Sequence, residues 1–205
     1  MTMRRSAGTM HVARALWYAG PGKVELRPAT LPPPDAGEAR VRPAFTGISR
    51  GTERLILNGL VGSSEWERMK APLQKGAFPF PVKYGYCATG TVEAGPDHQL
   101  GRDVICLHTH QGVFVAPSTM LVPLPEDVPL RRATLAANME TALNAHWDAG
   151  SGPGDRIVVV GAGVLGLLVA HLAARIPGAD VTVVDILETR RAIAESFGAL
   201  FAAPD

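Results

Sequence analysis

The stretch that decides the fold is IVVVGAGVLG at 157–166, continued by LLVAHLAARI at 167–176 and DVTVVD at 180–185. A short run of β-branched residues reads as a buried strand, the glycines as a turn, the apolar run as a helix, and DVTVV as a second strand. Strand, GxGxxG turn, helix, strand and acid is the order of a dinucleotide-binding unit. In such a unit Gly161 lets the chain turn out of the strand, Gly163 lets the backbone approach a pyrophosphate, and Gly166 lets the helix pack on the sheet. The helix N-terminus, at Val164 and Leu165, offers N–H groups to the phosphates. Asp185 follows Gly161 by 24 residues, at the end of the second strand, where a carboxylate bonds both hydroxyls of an adenosine ribose. It would repel a 2′-phosphate, so NAD(H) is favoured over NADP(H). Two other readings compete. The glycines serve only strand-helix packing, or residues 157–174 span a membrane; three glycines and His171 argue against the span.

Composition narrows the class. In 205 residues, 46% hydrophobic content suffices for one large or two small cores. A net charge of +1 with scattered arginines makes no field for nucleic acid or anionic lipid. The N-terminus MTMRRSAGTMHVARALW is basic but has no continuous apolar segment, so it does not read as a secretory signal, and residues 1–10 read as a loose tail. Two cysteines, Cys87 and Cys106, make no disulfide framework and suit the cytoplasm. The expected partner is a small-molecule substrate, with no nucleic acid and no membrane.

Up to residue 125, short apolar runs are broken by Gly and Pro, as in a small β-rich domain. Strands are expected at Val12–Tyr18, Val24–Arg27, Ala39–Thr46, Gly90–Ala94, Asp103–Leu107, Val113–Ala116 and Met120–Pro123. A short helix is expected at Ser64–Met69 and an irregular loop at Leu73–Lys83. Helical spacing over Leu130–Ala149 predicts one long helix leading into the dinucleotide unit. After Asp185 the pattern predicts a helix at Glu188–Phe197 and a strand at Leu200–Ala202. The fold class is therefore α/β with a β-rich domain in front of it. A complete doubly wound domain has about six strands, so roughly 70 further residues would be needed to finish it. The expectation is that the chain is part of a longer enzyme, or that another copy or a completing partner chain covers its sheet edge.

A β-rich domain, a connecting helix and a Rossmann unit in that order resemble the medium-chain dehydrogenase/reductase superfamily, the alcohol-dehydrogenase-like proteins with a GroES-like catalytic domain. The resemblance covers residues 12–205 and is carried by TGISRGTE at 46–53, KYGYCATGTVEAG at 83–95, Gly101-Arg102 with Val104, and VVVGAGVLG at 158–166. It is similar within that superfamily to a zinc-poor branch that includes bacteriochlorophyllide a dehydrogenase-like proteins. It implies a tail at 1–10, a GroES-like catalytic domain at 11–129, a connecting helix at 130–150, and a partial NAD-binding Rossmann domain at 151–205. Zinc members of the family carry Cys in the first motif and Gly-His-Glu in the second; here Ser49 and Tyr86-Cys87 stand at those positions. Serine and tyrosine hydroxyls titrate too high to bind zinc as anions near neutral pH. No CxxC occurs for a structural zinc. No zinc is expected. Cys106, His108 and His110 would share a face if their strand continued, and are the one alternative metal set.

In the resembled family the nicotinamide lies between the two domains, so the 46–53 and 83–87 motifs should face it. Without zinc, a hydrogen-bond donor must meet the charge developing on a carbonyl or enolate oxygen. Tyr86 occupies the lost histidine's position and offers an O–H, or else it packs with its hydroxyl in water. Ser49 and Thr52 could relay a proton, or Thr52 could cap a helix with Glu53 beside it. His110 or His108 could serve as acid or base, or be surface histidines. Arg50 matches the position that reaches the pyrophosphate, and Thr141 in ANMET the one bordering the nicotinamide; a solvated arginine and an ordinary helix hydroxyl are the alternatives, with Glu140 next to Thr141. The expected function is a zinc-independent, NAD(H)-dependent oxidoreductase acting on a carbonyl, hydroxyl or activated double bond. The alternatives are a catalytically silent nucleotide-binding or scaffold protein and a quinone-reductase-like C–C double-bond reductase.

Overall fold

The computed structural model describes residues 10–204, so the tail expected at 1–10 lies outside the described residues apart from Met10. The chain divides after Thr134 into two compact units.

The first unit is built from short strands. β1 (His11–Gly20) and β2 (Lys23–Leu31) form a hairpin across Pro21-Gly22. β2 is longer than expected because Pro28, which reads as a strand breaker, is accommodated where β2 forms the sheet edge. β3 (Glu38–Thr46) precedes α1 (Thr52–Leu57), a helix that the sequence reading raised only through the alternative in which Thr52 caps one. The expected loop at 73–83 contains two short paired strands, β4 (Lys75–Gly76) and β5 (Val82–Lys83). β6 (Ala88–Ala94), β7 (Asp103–Cys106), β8 (Phe114–Pro117), β9 (Val122–Pro123) and α2 (Leu130–Ala133) complete the unit. Strands order β2-β1-β5-β4 in one sheet and β8-β3-β6-β7-β9 in the other. Val41, Val92, Val104, Cys106 and Phe114 fill one core; Tyr18, Ile56, Phe78, Val82 and Tyr84 fill a second. Two expectations fail locally. Ser64–Met69 makes only a 3-10 turn at Ser63–Glu65, and Met120 belongs to a 3-10 turn ahead of β9.

Lys83 is 4% exposed, and its ammonium donates to Gln111 Oε1 at 2.6 Å rather than to a carboxylate. Burial, aided by the like charge of Lys75, pulls it down to about 8 from 10.5. Between those values the unfolded chain holds a proton that the folded one lacks, so stability rises with pH. Buried Cys87 and Cys106, pushed up to about 11 from 9.0, act in the opposite sense above pH 9. The lysine should therefore show between about pH 8 and 9: the urea midpoint should rise across that window, and Lys83→Met should flatten it.

The second unit starts with α3 (Ala136–Ala149). The single helix expected over Leu130–Ala149 is thus broken at Thr134-Leu135, where the Thr134 hydroxyl donates back to the Arg131 carbonyl (2.8 Å) and the Leu130 carbonyl is taken by the Thr89 hydroxyl (2.8 Å). β10 (Arg156–Val160), α4 (Val164–Ala173), β11 (Asp180–Val184), α5 (Arg191–Ser196) and β12 (Leu200–Ala202) follow. The expected helix over 188–197 begins with a 3-10 turn at Glu188–Arg190. The strands are parallel in the order β10-β11-β12, and Ile157, Val158, Val159 and Val160 pair with Val181, Thr182, Val183 and Val184. Val159, Val181, Val183 and Phe201 pack with Leu167, Ala170 and Ala173 of α4. The small residues let helix and sheet approach closely. No described helix is long and apolar enough to cross a membrane.

Candidate functional site

The glycine turn sits between β10 and α4. Gly161 has φ +99, a conformation that favours glycine, and its N–H donates to the Val184 carbonyl at 2.7 Å. Gly166 allows no side chain: a Cβ there would lie 1.8 Å from the Gly161 carbonyl oxygen. At Gly163 a Cβ would meet nothing within 4 Å, so the approach to the start of α4 is open. Gly163 caps α4, whose first N–H groups have no partners within the helix. Val164 and Leu165, in that first turn, are 54% and 40% exposed.

Asp185 directly follows β11, beside this turn. One carboxylate oxygen accepts from the Ala162 N–H (2.6 Å) and the other from the Leu187 N–H (2.7 Å). These bonds, Leu187's first, hold its carboxyl below the usual range, so it carries full charge near neutral pH. A ring of N–H donors, an open cradle and a fixed carboxylate fit the pyrophosphate and ribose of a dinucleotide.

In the first unit, Ser49, Arg50 and Gly51 lead into α1. Ser49 Oγ accepts from the Thr52 N–H at 3.2 Å, so Ser49 makes the turn-closing bond and Thr52 is the first helical residue rather than the cap. Arg50 is exposed. Glu53 is 2% exposed and gathers three donors. Oε1 accepts from the Ser49 N–H (2.8 Å), and Oε2 from the Tyr18 hydroxyl and from His110 Nε2 (2.7 Å). Burial alone would raise this carboxyl; the bonds from His110, Tyr18 and Ser49 outweigh it and hold the group below its ordinary range. His110 is 6% exposed, not a surface histidine, and its Nδ1 has no partner. It also lines a cleft of about 320 Å³ with Arg14, Leu16, Phe45, Thr46 and Ile48.

Sequence reasoning passed over Tyr18 and the buried role of Glu53. One signal was present: Glu53 and Ile56 are three apart on a short helix and share its buried face. Tyr86 is half-buried and meets Tyr84 edge to face at 6.0 Å. On α3, Thr141 and Glu140 are exposed, and the Thr141 hydroxyl donates back to the Ala137 carbonyl at 3.0 Å.

The donor set does not suit a metal. β7 ends at Cys106, so the shared face expected of Cys106, His108 and His110 does not form. His108 instead stacks on Phe114 at 3.9 Å, with Nδ1 2.8 Å from the Thr109 carbonyl, and burial brings it down to about 4. His110 faces Glu53. At Ser49, Tyr86 and Cys87, the two hydroxyls are weak ligands, which leaves Cys87 as the single soft donor of the three. Among the described residues no group of three or more His, Cys, Asp or Glu side chains is placed to share an ion.

The chain joins, in sequence, a β-rich unit to a strand-glycine turn-helix unit. The chain is 39% identical over 88 residues to an uncharacterized zinc-type alcohol dehydrogenase-like protein of Haemophilus influenzae, a match covering 43% of this chain and 25% of that protein. No protein-family model matches it. Two solved structures share the fold. One is a short chain alcohol dehydrogenase from E. coli CFT073 complexed with NADH, with TM-score 0.76 and 18% identity, covering 97% of this chain and 64% of that one. The other is a putative zinc-binding dehydrogenase from Sinorhizobium meliloti 1021 bound to NADP, with TM-score 0.76 and 18% identity, covering 95% and 62%. The chain therefore spans less than two thirds of those structures. Over part of its length the chain is thus similar to alcohol dehydrogenase-like proteins, and it shares the fold of these solved dehydrogenases.

Proposed function

We propose that the chain is part of a zinc-independent, NAD(H)-dependent oxidoreductase that moves a hydride between the nicotinamide and a carbonyl, hydroxyl or activated double bond of a small molecule. The observation carrying this reading is the glycine turn: positive φ at Gly161, no room for a side chain at Gly166, open space at Gly163, and Asp185 beside them. The dinucleotide, when bound, supplies the hydride chemistry. The chain's own residues do the rest. Gly161, Gly163, Val164, Leu165 and Gly166 receive the pyrophosphate, Arg50 contributes a cation toward it, Asp185 selects an unphosphorylated ribose, and Thr141 borders the nicotinamide. Tyr86 donates to the substrate oxygen, while Ser49, Thr52 and His110 hold or move the proton.

The absence of zinc is supported by the chemistry of Ser49 and Tyr86, whose hydroxyls are weak zinc ligands. A cytoplasmic setting accords with two free cysteines, and a second copy or a completing chain accords with the open edges of β10 and β12. The test is a fluorescence titration of the purified chain with NADH and NADPH, together with metal analysis. Saturable NADH binding with no bound zinc is expected. No binding of either nucleotide would favour the silent scaffold, and one zinc per chain would overturn the zinc-free mechanism.

A further inference from the structure

Glu53 makes more bonds than a carboxylate kept only for solubility would. It lies 2% exposed where β1, α1 and the 108–112 segment meet, and all its partners are donors. We infer that Glu53 is a positioning residue: its single buried carboxylate fixes the Ser49 turn and the ring of His110 together. This rests on the oxidoreductase reading above, in which Ser49 and His110 handle the proton.

The argument is one of donor and acceptor count. A carboxylate accepts on both sides and donates on neither. Oε1 therefore receives the Ser49 N–H, while Ser49 Oγ receives the Thr52 N–H and keeps its own hydrogen for another partner. Oε2 receives the Tyr18 O–H and faces His110 Nε2, which must carry a proton to bond to an anion. The Gly85 backbone backs the same edge of the ring: a Cβ there would lie 2.9 Å from both Cδ2 and Nε2 of His110. The ring is thereby held with Nδ1 on its other edge and unpartnered. This is the arrangement by which a carboxylate sets the orientation of a proton-transferring histidine.

Glu53→Gln tests it, because an amide accepts on one side only. With its carbonyl toward Ser49, its NH2 faces Tyr18 and His110, and Nε2 must give up its proton; turned the other way, the Ser49 N–H faces a donor. Nitrogen-15 NMR of the wild type should show His110 Nε2 protonated. In Glu53→Gln, either Nε2 should lose that proton or the Ser49 amide should lose its protection from exchange. With substrate, kcat should fall about a hundred-fold while the NADH dissociation constant holds. A wild-type Nε2 without a proton overturns the inference, as does a folded Glu53→Gln in which both NMR signals stay put, even if its melting point falls. A wild type that neither binds NADH nor turns over would count against the oxidoreductase reading instead, and the two NMR signals would still decide the role of Glu53.

Discussion

Replacing Gly166 with alanine should abolish NADH binding and destabilise the second unit. A Cβ there would stand 1.8 Å from the Gly161 carbonyl oxygen, 3.0 Å from its carbon and 3.5 Å from Val159 Cγ1. The first two contacts are to the backbone just beyond β10, so relief must come from lifting α4 off β10. Alanine is the better helix former by about 1 kcal/mol, which overpacking outweighs. The net cost should be about 2–3 kcal/mol, or on the order of 10 °C in the melting point of so small a unit. Gly163→Ala is the informative comparison, because its added carbon meets no protein atom within 4 Å. It should melt like the wild type and still bind NADH more weakly, since the carbon intrudes where a pyrophosphate would sit. Calorimetry and nucleotide titration of both variants separate packing from ligand approach. A Gly166→Ala protein that melts and binds like the wild type would remove the structural basis for reading this turn as a cofactor cradle.

The parallel unit was legible because each of its constraints is local. A β-branched run, glycines at fixed spacing, an apolar helix and an acid at the next strand end each leave a mark on the residues themselves, and β10, α4 and β11 lie where those marks put them. The first unit was read less well where its structure depends on partners distant in sequence. Pro28 looks like a stop, yet it sits on an edge strand opposite Arg14. Lys75–Gly76 becomes a strand only because Val82–Lys83 lies beside it. The break at Thr134 needs a hydroxyl from Thr89, 41 residues away from its acceptor Leu130. Period and propensity carry none of that information.

The site shows the same division. The glycine turn and Asp185 could be read from spacing, whereas the contacts around Glu53 join residues 35 and 57 positions apart. His110 looked like a surface group because nothing near it in sequence announces a buried carboxylate. A charged residue sharing the inner face of a short helix with Ile56 was the one trace left in the sequence.

Asp185 should carry the choice of cofactor. Its oxygens already accept from Ala162 and Leu187, which aims the carboxylate across the glycine turn and keeps it charged. An ionised carboxylate has further lone pairs for two ribose hydroxyls, and it repels a phosphate on the 2′ oxygen. NADH should therefore bind at least about tenfold more tightly than NADPH. Asp185→Ala should weaken NADH by about ten- to a hundred-fold, because charge-assisted bonds to the ribose are lost. The fold should survive, since Asp185 is only half-buried and truncating it opens room for water beside the Ala162 and Leu187 N–H groups. Asp185→Asn distinguishes charge from geometry: it keeps one acceptor and removes the repulsion, so the gap between the nucleotides should close mainly through tighter NADPH. The depressed carboxyl stays ionised as the medium is acidified, so the wild-type preference should hold down to about pH 5. Equal affinity for both nucleotides in the wild type, or an Asp185→Asn protein with the wild-type preference intact, would assign discrimination to other residues and leave Asp185 as a clasp between the ends of β10 and β11.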